Sequence, residues 1–415
     1  MITLYRAFNK NLLMSIPSVL SLSIILFLLL PLSYSGGTGM ADEPPTKIEL
    51  LYCKGQNLLL MLLETEQVDG YVAWQPCPAQ AEVGEIGKVV AFSQNFPPKG
   101  FWHNHPCCVI VAKDALLEDD MNLLASLSAL TMLSTQWVND NPEQSISITS
   151  EWLMGGGNYT FGEQSMPSTE VFNNSFSSIV FSCQPDEDWI RSAQALASYM
   201  GDLLNTMQGL NSSGYEKGNF YDLRPYMTAL KIINGSETTM PNLVKDKLRI
   251  GYLMSDHLAP LFVAIKEWRY FQEEYDMALK PKDEGVMRPR EIEFIVNDTI
   301  VAEIDLSTAS TGQTLMTLIE QNCLDIAYVG ITPALGLMGL GCRAKIILPF
   351  QNQGSGLVFP LNSPVSSWDE FVSLARSRSA QGKPLRIADP DMGTIADAIF
   401  QSALKEEGIE CIKAM

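Results

Sequence analysis

The stretch NFPPKGFWHNHPCC, ending at Cys108, brings two imidazoles and two thiols close together in sequence. His103, His105, Cys107 and Cys108 are the kinds of side chain that hold a soft metal ion. Their spacing lacks the C-x-x-C pairing of structural zinc sites. The loop also feeds an apolar run, CCVIVA, in which cysteine serves as a small buried hydrophobe. Neighbouring strand residues point to opposite faces, so one thiol is expected in the core and the other towards a cleft. No metal and no cofactor are expected.

The third histidine, His257, follows Ser255 and Asp256 between an apolar strand and a helix. A lone histidine there is either a helix-start residue or a ligand contact at the strand's carboxyl end. Two helix starts, Ser310-Thr311-Gly312-Gln313 and Asp391-Met392-Gly393-Thr394, carry small residues whose bare N–H groups favour an anion. The glycine-dense run GGGNYTFG, 155–162, is followed by neither a Lys-Ser/Thr pair nor a GxGxxG spacing, and reads as a mobile turn. Three histidines leave few general bases, no Ser/His/Asp set has a motif context, and Asp69 and Asp325 fall in turns. The chain is expected not to be an enzyme, the HNHPCC run being the sole support for one.

Length and composition bound the rest. With 415 residues, 46% of them hydrophobic and 18% charged, the chain has core enough for two to three domain-sized units. A formal charge of -19 argues against a nucleic-acid partner, which needs clustered Lys and Arg. Arg6 and Lys10 precede the apolar run Leu12 to Leu32, and small residues follow it. That describes an export signal, or an uncleaved membrane anchor, with residues up to about 45 as its tether. N-x-S/T acceptor patterns at Asn158, Asn173, Asn211, Asn234 and Asn297 agree with export. The eight cysteines include no CxxC pair, and no disulfide is assigned.

The positioning elements follow from periodicity. Gly312 to Asn322 repeats apolar residues at helical spacing, Ile326 to Val329 is β-prone, and Gly330 leads into Thr332-Pro333, an N-cap and first helical proline. The same helix, acidic turn, strand and helix recur at Gln56 to Gln80 around Gly70 to Trp74. Two such units imply two α/β lobes, with loops at the strands' carboxyl ends, where open α/β sheets bind ligands.

Several stretches together resemble the substrate-binding proteins of ABC importers for nitrate, sulfonates, taurine and thiamine precursors. They are LRIGYLMSDHLAPLFVAIKEW at Leu248, GQTLMTLIEQNCLDIAYVGITPAL at Gly312, LRIADPDMGTIADAIFQSALKEEGI at Leu385, VDGYVAWQPCPAQAE at Val68 and NHPCCVIVAKDAL at Asn104. The resemblance implies a two-lobed type II periplasmic-binding fold. Its order is circularly permuted, since residues 248–415 look like the family's amino-terminal half and 47–233 like its carboxyl-terminal half. On that reading 46–118 contributes to lobe 2, 119–233 supplies lobe 1 helices, 234–247 is a linker, 248–356 is lobe 1 and 357–415 returns to lobe 2. A segment of a tandem array is the rival reading.

The resemblance also implies a cleft at Trp74, Ser255, His257, Thr311, Gly312, Thr332, Gln351, Gly393 and Thr394. The family often has Glu after the tryptophan, where this chain has Gln75. Small anions or neutral heterocycles are thereby favoured over cations. The implied partners are a small-molecule ligand and an ABC permease at the outer face of the membrane. A membrane-anchored sensor of the same fold, or a non-functional fragment, is the alternative.

Overall fold

The computed structural model describes residues 45–208, 220–236, 240–242 and 247–414. The apolar run Leu12 to Leu32, the acceptor Asn211 and much of the 234–247 joint lie outside them. Among the described residues, no helix is long and apolar enough to cross a membrane.

Two mixed sheets organise the unit Pro44–Met415. In the smaller, four parallel strands run in the order Ile409–Lys413, Thr46–Tyr52, Leu385–Asp389 and Gly70–Trp74. Ser355–Pro360 and Gly87–Phe92 complete its six strands, Ser355–Pro360 running antiparallel to both of its neighbours. In the larger, eight-stranded sheet, Ile326–Gly330, Leu248–Leu253 and Thr299–Ala309 are parallel. Pro106–Lys113 pairs antiparallel with Ile326–Gly330 on one side of them, Ala344–Gln353 pairs antiparallel with Pro106–Lys113 beyond it, and a hairpin turning at Asn297 and Asp298 extends the other side. Both turn residues have left-handed φ, 49° and 58°, a conformation Asn and Asp tolerate.

The chain passes between the sheets in two places. Gly87–Phe92 leads through the HNHPCC loop into Pro106–Lys113, and Ala344–Gln353 turns at Gly354 into Ser355–Pro360. Gly354 has φ 86°, and a Cβ there would stand 3.2 Å from His257 Nε2. The position therefore calls for glycine both in backbone conformation and in space.

The two repeated units sit in different sheets. Leu59–Glu64, Gly70–Trp74 and Cys77–Val83 form one, and Gly312–Glu320, Ile326–Gly330 and Ile331–Gly339 the other. In the second, Thr332 does not cap the helix as its sequence predicts. The helix already starts at Ile331 with Gly330 before it, because a proline without an N–H fits anywhere in the first turn. The Thr332 hydroxyl is thereby left over. The GGGNYTFG run is also not a mobile turn: left-handed Gly155 ends the helix Pro142–Met154, and Asn158–Phe161 pairs with Gln164–Pro167.

Helices cover the sheets. Met121–Asp140, capped by Asp120 accepting the Leu123 N–H at 3.0 Å, buries Leu123, Leu124, Leu127, Leu130 and Leu133. Trp152, on the following helix, stacks on Phe262 with centroids 4.8 Å apart, a fully buried aromatic pair. Glu187–Gln208 packs on both Ile331–Gly339 and Ile395–Glu406, so it touches helices of both sheets.

Candidate functional site

The carboxyl ends of the two repeated strands converge on one cavity of about 80 Å³. From the eight-stranded side come Cys107, Cys108, Ser255, His257, Gly312 and Thr332, and from the six-stranded side Trp74, Thr394 and Ile395. A far larger depression of about 930 Å³ lies elsewhere, at Glu64, Glu66, Asp69, Glu85 and Arg378. It is an open groove holding none of the buried, unpartnered polar atoms, so the small cavity is the better candidate.

Those atoms mark the site. Among the described residues, His257 Nε2, Thr332 Oγ1, Gln351 Oε1, Asn352 Oδ1 and Ser355 Oγ are buried without a hydrogen-bond partner. An unsatisfied buried polar group costs about 1–3 kcal/mol, so a cluster of them calls for a bound solute or water. His257 and Thr332 line the cavity; Gln351, Asn352 and Ser355 do not, and lie on the turn at Gly354, where a Cβ would stand 3.2 Å from His257 Nε2. Gln351 Nε2 is spent on the Asn352 and Gln353 carbonyls, at 2.8 and 3.1 Å.

His257 is held in a thiol cradle. Its Nδ1 lies 3.4 Å from Cys107 Sγ and 3.8 Å from Cys108 Sγ. Both cysteines reach the cavity, contrary to the alternation expected of adjacent strand residues. They begin the strand Pro106–Lys113, where the cavity wraps the strand end, and their sulfurs are 3.9 Å apart. The Cys108 thiol donates to Cys107, and this hydrogen bond, with His257 beside it, holds the Cys107 thiol below its ordinary range despite burial. Burial resists protonation of His257, but the neighbouring Cys107 and Asp256 outweigh it and raise the imidazole. Asp256 is fully buried, which pushes its carboxyl up, and it accepts from Ser175 and from Ser255, the latter at 3.2 Å.

The HNHPCC cluster is divided by the fold. His105 is committed, with Nδ1–H donating to the Pro106 carbonyl at 3.1 Å and Nε2 accepting from Ser93 Oγ at 2.8 Å. Burial pushes it down to about 4. His103 is exposed and pairs with Asp188 at 3.2 Å. The two thiols find their histidine in His257, across the chain.

The other predicted residues divide similarly. Gly312 lines the cavity, and its missing Cβ matters, since one would fall 2.6 Å from Pro333 Cγ. Thr311 does not reach the cavity: its hydroxyl caps the helix by accepting the Thr314 N–H at 3.1 Å, and it faces a separate surface depression. Gly393 is spoken for, its N–H donating to Asp397 Oδ2 at 2.7 Å, so that helix start already holds a carboxylate in place of an external anion. Thr394 caps the same helix at 3.3 Å and lines the cavity. Gln75, where the resemblance led one to look for an acid, is fully buried and satisfied by Ser178 Oγ and the Ala79 N–H.

Sequence reading passed over the network behind Thr394. Asp397 accepts from Tyr199 at 2.9 Å, Tyr52 at 3.1 Å and Gln401 at 2.6 Å. Burial, then the Asp397 charge, pushes the Asp389 carboxyl well up, and burial also raises Asp397. Nothing in the one-dimensional pattern joins residues 52, 199, 389 and 397.

Comparison with known proteins gives the class. A family described as NMT1-like matches residues 42–153 and 242–414, and the chain belongs to the NMT1-like family. That is a family of solute-binding proteins of the ABC-transporter type, with a small-molecule ligand and a transporter as partners. The chain is also similar to an uncharacterized protein of Methanocaldococcus jannaschii, 29% identical over 102 residues, covering 24% of this chain and 68% of that one. No solved structure matches it.

Proposed function

We propose that this chain is an extracytoplasmic solute-binding protein of an ABC importer, and not an enzyme. Its two sheets are the cores of two lobes that close on a small solute, and the closed form docks on the permease. The observation that carries the reading is the pair of buried, unpartnered polar atoms, His257 Nε2 and Thr332 Oγ1, in the cavity where the two repeated strands meet. The cavity is small beside the roughly 300–1,000 Å³ of sites for drug-sized ligands, which suits a solute of few atoms. Nitrate and the smallest sulfonates fit that size in the closed form, and taurine or a thiamine precursor needs the lobes further apart.

Export is part of the proposal, with residues 1–45 as signal or anchor. It is supported by the four described glycan acceptors, Asn158, Asn173, Asn234 and Asn297, all of which are exposed. Permutation is supported by the way residues 46–92 and 355–413 together build the six-stranded sheet.

The test is a thermal-shift series on the full chain with nitrate, taurine, alkanesulfonates and thiamine precursors. A true ligand at a hundredfold excess over its Kd adds about 2.7 kcal/mol of stability. Trp74→Ala, at the cavity wall, should shrink that gain by about 1 kcal/mol or more and leave the unliganded melt in place. A cooperative melt that no solute moves would overturn the reading.

A further inference from the structure

We propose that Cys107 Sγ, Cys108 Sγ and His257 Nδ1 seat a thiophilic divalent metal ion of the Zn(II) class, and that the solute is bound through the ion's remaining open position. The inference deepens the binding-protein reading and rests on it for the solute, though not for the metal.

The geometry is that of three corners of a tetrahedron. With metal–sulfur and metal–nitrogen bonds of about 2.3 and about 2.0 Å, tetrahedral angles place two sulfurs about 3.8 Å apart and a sulfur and a nitrogen about 3.5 Å apart. The corresponding separations here are 3.9 Å, 3.4 Å and 3.8 Å. An ion therefore fits with shifts of a few tenths of an ångström, and all three donors are already buried.

Three protein ligands with a fourth position facing a cavity is the arrangement of an exchangeable site rather than a closed structural one. The cavity supplies the rest. Thr332 Oγ1 lines it unpartnered, and His257 Nε2–H, on the far side of the ring from the ion, is unpartnered as well. A metal-bound imidazole ordinarily donates its other N–H to an acceptor, and here the acceptor has to come with the ligand or a water. Two thiolates neutralise a divalent ion, so an anionic or nitrogen-donor solute at the fourth position meets no net repulsion from the ion's own ligands. The surroundings otherwise disfavour a bare anion, because Asp397 fills the facing helix start.

The experiment uses the purified full chain, stripped with chelator under reducing conditions. Titration with Co(II) should give thiolate-to-metal charge-transfer absorption and tetrahedral d–d bands that saturate at one equivalent, displaced by Zn(II). Replacing both cysteines, C107S with C108S, should weaken binding more than about 100-fold, beyond the loss typical of removing an outer-shell partner, whereas His103→Ala should leave it unchanged. Should the double variant fail to fold, alkylation of the wild-type chain in mild denaturant, where the buried thiols become reactive without metal, decides: Zn(II) should shield Cys107 and Cys108, mapped by mass spectrometry, and leave exposed Cys323 reactive. Absence of stoichiometric metal, or equal alkylation with and without it, overturns the site. Repeating the solute series on stripped and Zn(II)-loaded protein separates the two claims. Solute binding without metal sinks the metal-mediated step and keeps the binding protein. Metal binding with no solute response in either form keeps the metal site and overturns the solute-binding reading with the metal-mediated step.

Discussion

The two walls of the cavity differ in how their polar groups are spent. On the eight-stranded side, among the described residues, the thiols of Cys107 and Cys108 meet each other and one nitrogen of His257, whose other nitrogen, like Thr332 Oγ1, has no partner there. On the six-stranded side, Ser355 Oγ and Asp389 Oδ2 apart, the polar groups behind the cavity are closed into the protein: Gly393 and Thr394 onto Asp397, and Asp397 onto Tyr52, Tyr199 and Gln401. Trp74 and Ile395 lie across the cavity as apolar cover, beside the capping Thr394. One wall binds and the other shuts, although the sequence presents both as repeats of one helix, strand and helix unit.

The comparison breaks first at His257. His257→Ala should remove the ligand-dependent stabilisation, about 2.7 kcal/mol at a hundredfold excess, and a thermal shift that survives would move the chemistry to the other wall. Next is Gly354→Ala, which puts a side chain in left-handed backbone beside the ring. It should cost about 1–2 kcal/mol of folding stability in a denaturant melt and weaken binding as well.

Tyr199→Phe removes two hydrogen bonds of the closed wall, the one donated to Asp397 and the one accepted from Gln401, a loss of about 1–2 kcal/mol by the same melt, with affinity for solute unchanged once the protein is folded. The smallest effect is a slope. The fold favours protonated Asp389, so the stability this carboxyl contributes is complete below its ordinary pKa of about 3.9 and is lost as pH rises through the raised folded value. Asp389→Asn keeps the acceptor for the Asp391 N–H, which lies at 3.0 Å. Its Tm should fall less than the parent's between about pH 5 and about pH 8, and parallel curves would show that the carboxyl is not held protonated.

Local order was legible where one physical cause acts alone. The helix Ile395–Glu406 begins directly after Asp391-Met392-Gly393-Thr394, where the sequence places a helix start, and the strand Gly70–Trp74 falls between its acidic turn and Pro76. The cavity was half legible. The family resemblance named Trp74, Ser255, His257, Gly312, Thr332 and Thr394, which line it, but the partner of Cys107 lies 150 residues away. Sequence proximity instead grouped the thiols with His103 and His105, which the loop directs to Asp188 and Ser93. The glycine-bounded helix start at 393 suggested an anion because its answering carboxylate, Asp397, reads as an ordinary first-turn acid.

The helix Glu187–Gln208 carries a last consequence. Because it packs on helices belonging to both sheets and adds the Tyr199 bond to Asp397, neither sheet can lose its cover without disturbing the other. Its amide protons should accordingly exchange with solvent in step with global unfolding, at the slow rate of the core strands rather than the fast rate of a surface helix.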